Sequence, residues 1–182
     1  ALYQEPGLIK HSGIGKTFLG EIDGKISKRL KKIVDLFNES GIITNYSEDI
    51  IREIWIKTII NSCINPLTTI FQCKNGYLLE NPILRNIIKL ICKESCMIAS
   101  SNVFDIDYDD VLNKTMEVIN NTSDNYSSML QSYNKNKETE IKSINGKIIE
   151  VGKQQKKETI LNEILFLLIK EKLINLNLIN KY

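Results

Sequence analysis

The sequence has one histidine, His11, and no second cysteine pair to match the one formed by Cys92 and Cys96. Structural zinc sites draw four cysteine or histidine ligands at regular spacings, so these counts argue against a metal centre. Cys92 and Cys96 stand one helical turn apart, which favours buried thiols on a helix face. Because the sequence also shows neither a secretory signal peptide nor a dense cysteine framework, we expect reduced thiols in a cytoplasmic protein.

Long apolar runs and a charge imbalance are also missing. No apolar stretch approaches the roughly 18 residues of a membrane-spanning helix. The stretch 160–169 is interrupted by Asn162 and Glu163, which predicts a buried helix instead. The 24 Lys and Arg residues nearly balance the 22 Asp and Glu residues, for a net charge of +2. We therefore expect neither a nucleic acid nor a membrane as partner.

What the sequence does contain is enough apolar material for a core. With 182 residues and 42% hydrophobic side chains, the chain fits one domain, or one domain with a fragment of its neighbour. Residues 1–22 hold four glycines between short apolar segments, a pattern that predicts one or two strands. Such strands need a sheet to join, so we interpret 1–22 as the trailing strands of an absent neighbouring domain and 23–182 as a separate domain.

The second region is predicted to be mainly α-helical, because its apolar residues recur every three or four positions. Capping residues and glycine or proline positions delimit the segments. The predicted helices cover 26–41, 47–70, 81–100, 107–119, 125–133 and 158–173. Between the last two, alternating residues at 139–144 and 147–151 flank Asn145-Gly146, which predicts a small hairpin or a pair of extended arms.

The second predicted helix carries a polar stripe, since Lys57, Asn61 and Asn65 are spaced four apart and share one face. For an arbitrary helix, such a stripe simply faces water. The bulky apolar residues around this one favour a cleft instead. A lysine there can attract a carboxylate and donate a proton, while the asparagines offer neutral donors and acceptors. The set suits a small polar acid.

No complete phosphate-binding motif accompanies this stripe. Gly15-Lys16-Thr17 resembles the end of a phosphate-binding loop, but Lys10 stands where that pattern needs a glycine. Gly13-Ile14-Gly15 does not continue as a dinucleotide fingerprint either, because Phe18 occupies the third glycine position. A nucleotide site is therefore not predicted within this chain.

Two separated blocks of residues resemble one family. Residues 55–68 are similar to the W-x-K-x-x-x-N-x-x-x-N-P-L-T signature of 2-dehydropantoate 2-reductases (ketopantoate reductases), followed by N-G at 75–76. Residues 127–131 look like that family's S-S-M-x-Q motif, and 139–146 resemble its T-E-I and I-N-G motifs. Glu94 falls where the family usually has a glutamate on a core helix. The resemblance covers about residues 8–170.

The resemblance implies the helical, substrate-binding domain of a two-domain, NADP-dependent oxidoreductase of the 6-phosphogluconate-dehydrogenase-like type. An N-terminal Rossmann domain would bind NADPH, and 1–22 would be its remnant. The reaction implied is reduction of 2-dehydropantoate to pantoate, in pantothenate and coenzyme A biosynthesis, with a homodimer possible. The implied roles are general acid for Lys57, substrate binding for Asn61, Asn65, Asn75 and Ser128, and cofactor binding for Glu140.

Two alternatives remain at this point. The family often has an aspartate where this chain has Ser132, and a proline where it has Ile160, so another branched 2-oxo acid is a possible substrate. A helical assembly or binding module that keeps the fold without turnover is the second alternative, against which the retained Lys57 and Glu140 argue. Without the hydride donor's site, the chain alone is expected to be inactive.

Overall fold

The computed structural model describes residues 2–10, 15–100 and 105–176. The chain packs as two compact units, residues 1–54 and 55–182. This division concerns packing alone, and the predicted origin of residues 1–22 in a neighbouring domain stays a prediction. His11 lies outside the described residues.

The described residues of unit 1 form four short strands, one helix and the beginning of a second helix. Its elements are β1 (Leu2–Glu5), β2 (Leu8–Lys10), β3 (Thr17–Leu19), α1 (Lys28–Glu39) and β4 (Thr44–Tyr46). The strands form two separate pairs: β1 with β2, antiparallel, and β3 with β4, parallel. Strands were predicted in 1–22, and the described residues include three there, of which β3 pairs with β4 of the same chain.

The connection from α1 to β4 is fixed by one side chain. Asn38 near the end of α1 donates from Nδ2 to the Thr44 carbonyl at 3.0 Å and accepts from the Thr44 amide at 2.9 Å. Gly41 takes a φ of 81°, a left-handed conformation that glycine adopts without strain. The helix therefore turns directly back into a strand.

Unit 2 holds the helical core. The helices are α2 (Ile50–Phe71, which begins in unit 1), α3 (Tyr77–Glu80), α4 (Pro82–Ala99), α5 (Tyr108–Asn121), α6 (Ser128–Asn134), α7 (Asn145–Gln154) and α8 (Ile160–Asn175). The predicted mainly α fold is confirmed. Local caps mark the starts of α4 and α5, where Asn81 accepts from the Ile83 amide at 2.9 Å and Asp107 from the Asp110 amide at 2.8 Å.

The predicted hairpin is wrong, because its second arm is helix α7. Buried positions there fall at 141, 144, 145, 148, 149 and 152, which is the three-to-four spacing of a helix rather than the alternation of a strand. Asn145, expected in a turn, is fully buried and donates to Asn162 of α8 at 2.9 Å. Asn-Gly favours a hairpin only where no such tertiary bond competes.

The apolar core gathers α2, α4 and α5 with one residue each of α3 and α8, and Trp55 packs against it. A smaller cluster joins the segment 129–144 to the C-terminal half of α8. All four cysteines are free thiols. Among the described helices, none combines the length and apolar character needed to cross a bilayer.

Candidate functional site

The polar stripe of α2 runs from the surface into the interior. Lys57 is exposed, Asn61 is half-buried and Asn65 is 4% exposed. Each step of four residues advances about 6 Å along the axis, so the three side chains cover roughly 12 Å of one face. A helix face that simply met water would stay exposed along its length. The stripe therefore descends into the protein at its Asn65 end.

The Lys57 ammonium makes neither a hydrogen bond nor an ion pair with any residue that the structure describes. Ion pairs do form elsewhere, for example between Lys74 and Asp124 at 3.4 Å. A cation without an internal counter-ion, beside two neutral amides, is suited to an anionic or electron-rich ligand.

Asn65 offers an unused donor at the buried end. The backbone carbonyl oxygen of Asn65 accepts from the hydroxyls of Thr68 at 3.0 Å and Thr69 at 2.8 Å. Its side-chain Nδ2 is buried and has no hydrogen-bond partner among the residues that the structure describes. A buried N–H without an acceptor costs on the order of 1–3 kcal/mol, so this geometry favours a ligand that accepts a hydrogen bond there.

Ser128 is brought to α2 by its neighbour. Ser127 is buried and lies 2.7 Å from Thr68, measured between the two hydroxyl oxygens. Ser127 is also the N-cap of α6, accepting from the Leu130 amide at 3.2 Å. Ser128, the first residue of α6, is exposed. The two sequence blocks that resembled one family are thus joined in space.

Asn75 is held tightly to the segment that precedes α6. The backbone amide of Asn75 donates to the backbone carbonyl of Asn125 at 3.0 Å, and the side-chain Nδ2 of Asn75 donates to the Thr122 hydroxyl at 2.9 Å. Only 6% of Asn75 is exposed, and its Oδ1 has no partner. A ligand would have to reach this buried oxygen as a donor.

Glu140 lies in the turn before α7. Its backbone carbonyl accepts from Ser143 and Ile144, which shapes the turn, and its carboxylate is exposed. Within residues 2–10, 15–100 and 105–176, no hydrogen bond or ion pair links that carboxylate to Lys57. The structure brings together Lys57, Asn61 and Asn65, fastens Ser128 and Asn75 nearby, and does not join Glu140 to them.

A sequence profile described as "Ketopantoate reductase PanE/ApbA C terminal" matches residues 49–173. The chain belongs to the ketopantoate reductase family. The match covers the stripe of α2, the start of α6 and the turn before α7, which are the parts of the chain that carry the site. The helical unit is therefore the C-terminal domain of this reductase family.

The curated relatives carry the same family name. The chain is 40% identical over 174 residues to the 2-dehydropantoate 2-reductases of Pyrococcus abyssi and Pyrococcus horikoshii, covering 94% of this chain and 57% of each relative. The chain thus spans about half the length of these relatives. A solved structure of D-mandelate dehydrogenase with NADH and anilino(oxo)acetate matches with a TM-score of 0.87 at 26% identity, covering 92% of this chain and 70% of that one.

A chain of hydrogen bonds between polar side chains links α4, α7 and α8 of this ketopantoate reductase domain, and the sequence did not predict it. The Glu94 carboxylate of α4 accepts from the amides of Leu161 at 3.0 Å and Asn162 at 2.9 Å, at the start of α8. Asn162 also donates from Nδ2 to Glu94 at 2.8 Å and to Ser95 at 3.1 Å, and accepts from Asn145. The family resemblance marked Glu94 and Asn145 separately, but nothing in the sequence paired either of them with Asn162.

Proposed function

We propose that the intact protein is an NADPH-dependent 2-dehydropantoate 2-reductase in which this chain supplies the general acid and the substrate ligands. The observation that carries the proposal is the stripe of α2, with a free lysine at its open end and the unpartnered Nδ2 of Asn65 at its buried end. A small 2-oxo acid has the matching groups, a carbonyl oxygen that takes up a proton and a carboxylate that accepts hydrogen bonds.

Lys57 is the proton donor in this proposal. As the carbonyl carbon is reduced, negative charge develops on the carbonyl oxygen, and an ammonium within reach both stabilises that charge and transfers a proton to the oxygen. The nicotinamide cofactor, when bound, supplies the hydride. Lys57 has no competing internal counter-ion among the described residues, so its full charge acts on the substrate.

The remaining polar groups orient the acid. Asn61 and the unpartnered Nδ2 of Asn65 would donate to substrate oxygens, and the buried Oδ1 of Asn75 would accept from a substrate hydroxyl. The exposed hydroxyl of Ser128 would bind the carboxylate. Each of these groups is uncharged, so that Lys57 is left as the single cation of the set.

The cofactor would be held mainly by an N-terminal Rossmann domain. Glu140 is the group of this chain that fits it, since an exposed carboxylate without an internal partner can accept from ribose hydroxyls. The described residues contain no phosphate-binding loop at a helix start, so we expect the 182-residue chain alone not to turn over substrate. The free thiols agree with a cytoplasmic location.

A second substrate is favoured by one finding. The D-mandelate dehydrogenase match at a TM-score of 0.87 shows that this helical domain also serves an enzyme acting on an aromatic 2-hydroxy acid. The 2-oxo acid related to mandelate, benzoylformate, therefore belongs in the same assay as 2-dehydropantoate, each with NADPH and with NADH.

The test is cofactor oxidation by the full-length gene product, compared with Lys57→Ala and Lys57→Arg variants. We expect each variant to lose about 10²-fold or more in kcat, because arginine keeps the charge but is too weak an acid to donate the proton. Lys93→Ala, which removes an exposed lysine of α4, is the matched control and should keep wild-type activity.

The outcomes separate the alternatives. Turnover of benzoylformate without 2-dehydropantoate would replace the substrate and keep the mechanism. If the two-domain protein folds but turns over neither acid, the remaining interpretation is the non-catalytic binding module. Wild-type kcat in Lys57→Ala would remove the general-acid role.

A further inference from the structure

Among the described residues, the side-chain hydrogen bond between α2 and the start of α6 joins Thr68 to Ser127. Thr68 is fully buried and Ser127 is 6% exposed, and their oxygens lie 2.7 Å apart. Neither residue is itself a proposed substrate ligand, although the Thr68 hydroxyl bonds to the backbone carbonyl of Asn65 at 3.0 Å. The link nevertheless joins the helix that carries Asn65 to the residue that precedes Ser128.

Donor counting gives the link a direction. The Thr68 hydroxyl has one hydrogen, and the carbonyls of Ile64 and Asn65 each lie 3.0 Å from its oxygen. We assign that hydrogen to the carbonyls of α2 and the Ser127 hydrogen to Thr68, because the Ser127 hydroxyl has no other acceptor among the described residues. Ser127 in turn accepts from the Leu130 amide at 3.2 Å. The result is a directed chain from the first turn of α6 to the backbone of Asn65.

The segment before α6 is fastened at a second place. The Gly76 amide donates to the Ser123 carbonyl at 3.0 Å, next to the two hydrogen bonds that Asn75 makes to Asn125 and Thr122. A Cβ at Gly76 would lie 2.9 Å from the Cβ of Ser123, so the two segments approach too closely for a larger residue. With residues 122–125 held there and Ser127 held by Thr68, the backbone leading into Ser128 is fixed at both ends.

We propose that Thr68 is a positioning residue that holds Ser128, through Ser127, at the distance from Asn65 that a substrate carboxylate requires. The proposal rests on the function proposed above and adds the residue that sets substrate affinity without touching substrate. Because a carboxylate ligand acts on bound substrate and transition state alike, loss of its position raises KM and spares kcat.

The kinetic test uses Thr68→Val, Thr68→Ser and Ser127→Ala in the full-length protein. We expect Thr68→Val and Ser127→Ala to raise KM for the 2-oxo acid about tenfold, the worth of a hydrogen bond near 1.4 kcal/mol. Their kcat and their KM for NADPH should stay within about threefold, and Thr68→Ser should restore the wild-type KM.

Thr69→Val is the matched control. Thr69 is also fully buried, but its hydroxyl bonds only to the Asn65 carbonyl of its own helix, at 2.8 Å. The same substitution one residue along thus removes a hydroxyl without breaking the link to α6. An equal rise of KM in Thr69→Val, or a fall of kcat as large as the rise of KM in Thr68→Val, would overturn the proposal.

Amide hydrogen exchange in the 182-residue chain tests the fastening without any turnover. In Thr68→Val the Leu130 amide should exchange at least about tenfold faster than in wild type or in Thr69→Val, because its acceptor Ser127 is released. Unchanged exchange would overturn the positioning role. Absence of turnover in the wild-type enzyme, with accelerated exchange in the variant, would instead overturn the proposed function.

Discussion

Three thiols of the core form a connected group at the residue scale. Cys92 and Cys96 lie 3.9 Å apart between their sulfurs, one turn apart on α4, and Cys63 donates to the Ile88 carbonyl at 3.9 Å. The hydrogen bond with Cys63 raises the pKa of the Cys92 thiol. The hydrogen bond with Cys92, and then burial, raise the pKa of Cys96 far above its ordinary range.

This shift predicts a loss of stability in alkaline solution. An unfolded cysteine releases its proton near pH 8.5, while folded Cys96 keeps its proton well above that pH. The folded state then binds more protons than the unfolded state, so the free energy of unfolding falls as the pH rises above about 8.5. Below that pH the contribution is fully present.

Urea unfolding of wild type and Cys96→Ala between about pH 7.5 and 10 measures this effect. The fall with pH should be steeper in wild type, by up to roughly 1.4 kcal/mol per pH unit for one proton. The comparison concerns slopes, because the substitution also lowers stability at every pH. Parallel slopes in the two proteins would show that Cys96 does not stay protonated in the folded state.

The sequence predicted those site residues whose relation is local. Lys57, Asn61 and Asn65 share a face because their spacing matches the helical period, and α2 forms as expected. The contact of Thr68 with Ser127 spans 59 positions, and Glu94 reaches Asn162 across 68. A periodic sequence pattern does not predict contacts between residues so far apart, so these pairs are visible only in the folded structure.

At the scale of elements, some helices start at local side-chain caps and others start at contacts with distant residues, and only the first kind could be predicted from the sequence. α4 and α5 begin at side chains that cap amides two or three residues ahead, which a sequence displays directly. α7 begins at Asn145, whose partner Asn162 lies on another helix. Without that partner, Asn-Gly between alternating residues favours a hairpin. α3 has four residues, too few for a periodic signal.

The polar chain around Asn162 predicts a large cost for its removal. In Asn162→Leu, the fully buried Asn145 loses its side-chain partner and Glu94 loses one of three donors. Each buried polar group left unpaired costs about 1–3 kcal/mol, so we expect a loss of roughly 3 kcal/mol or more. The free energy of unfolding in urea measures it.

Asn113→Leu serves as the control for this substitution. Asn113 is exposed in the middle of α5, and the same change there should alter stability by no more than about 0.5 kcal/mol. Asn162→Asp should cost at least as much as Asn162→Leu, since it places a second carboxylate beside Glu94. A loss below about 1 kcal/mol in Asn162→Leu would mean that the polar chain contributes little to holding α4, α7 and α8 together.

At the scale of the whole molecule, the two units differ in how much apolar surface they bury. In the described part of unit 1, the fully packed aliphatic residues are Leu30 and Val34 of α1. Unit 2 packs two apolar clusters, with Ile59 and Ile88 completely buried in the larger one, and Ile148 of α7 is completely buried as well. Since apolar burial is the main stabilising contribution, the units should open at different free energies.

Hydrogen exchange followed by mass spectrometry on the 182-residue chain tests this difference. Peptides from α4 and the central part of α2 should keep their protons longest, because those amides exchange only when the core of unit 2 opens. Peptides from α1 should exchange earlier, by a factor of roughly 10² or more, although α1 has a side-chain cap at Ser27. Equal protection of α1 and α4 would show that the units unfold as one cooperative block, in which case the stability of the helical core would depend on unit 1 rather than on its own packing.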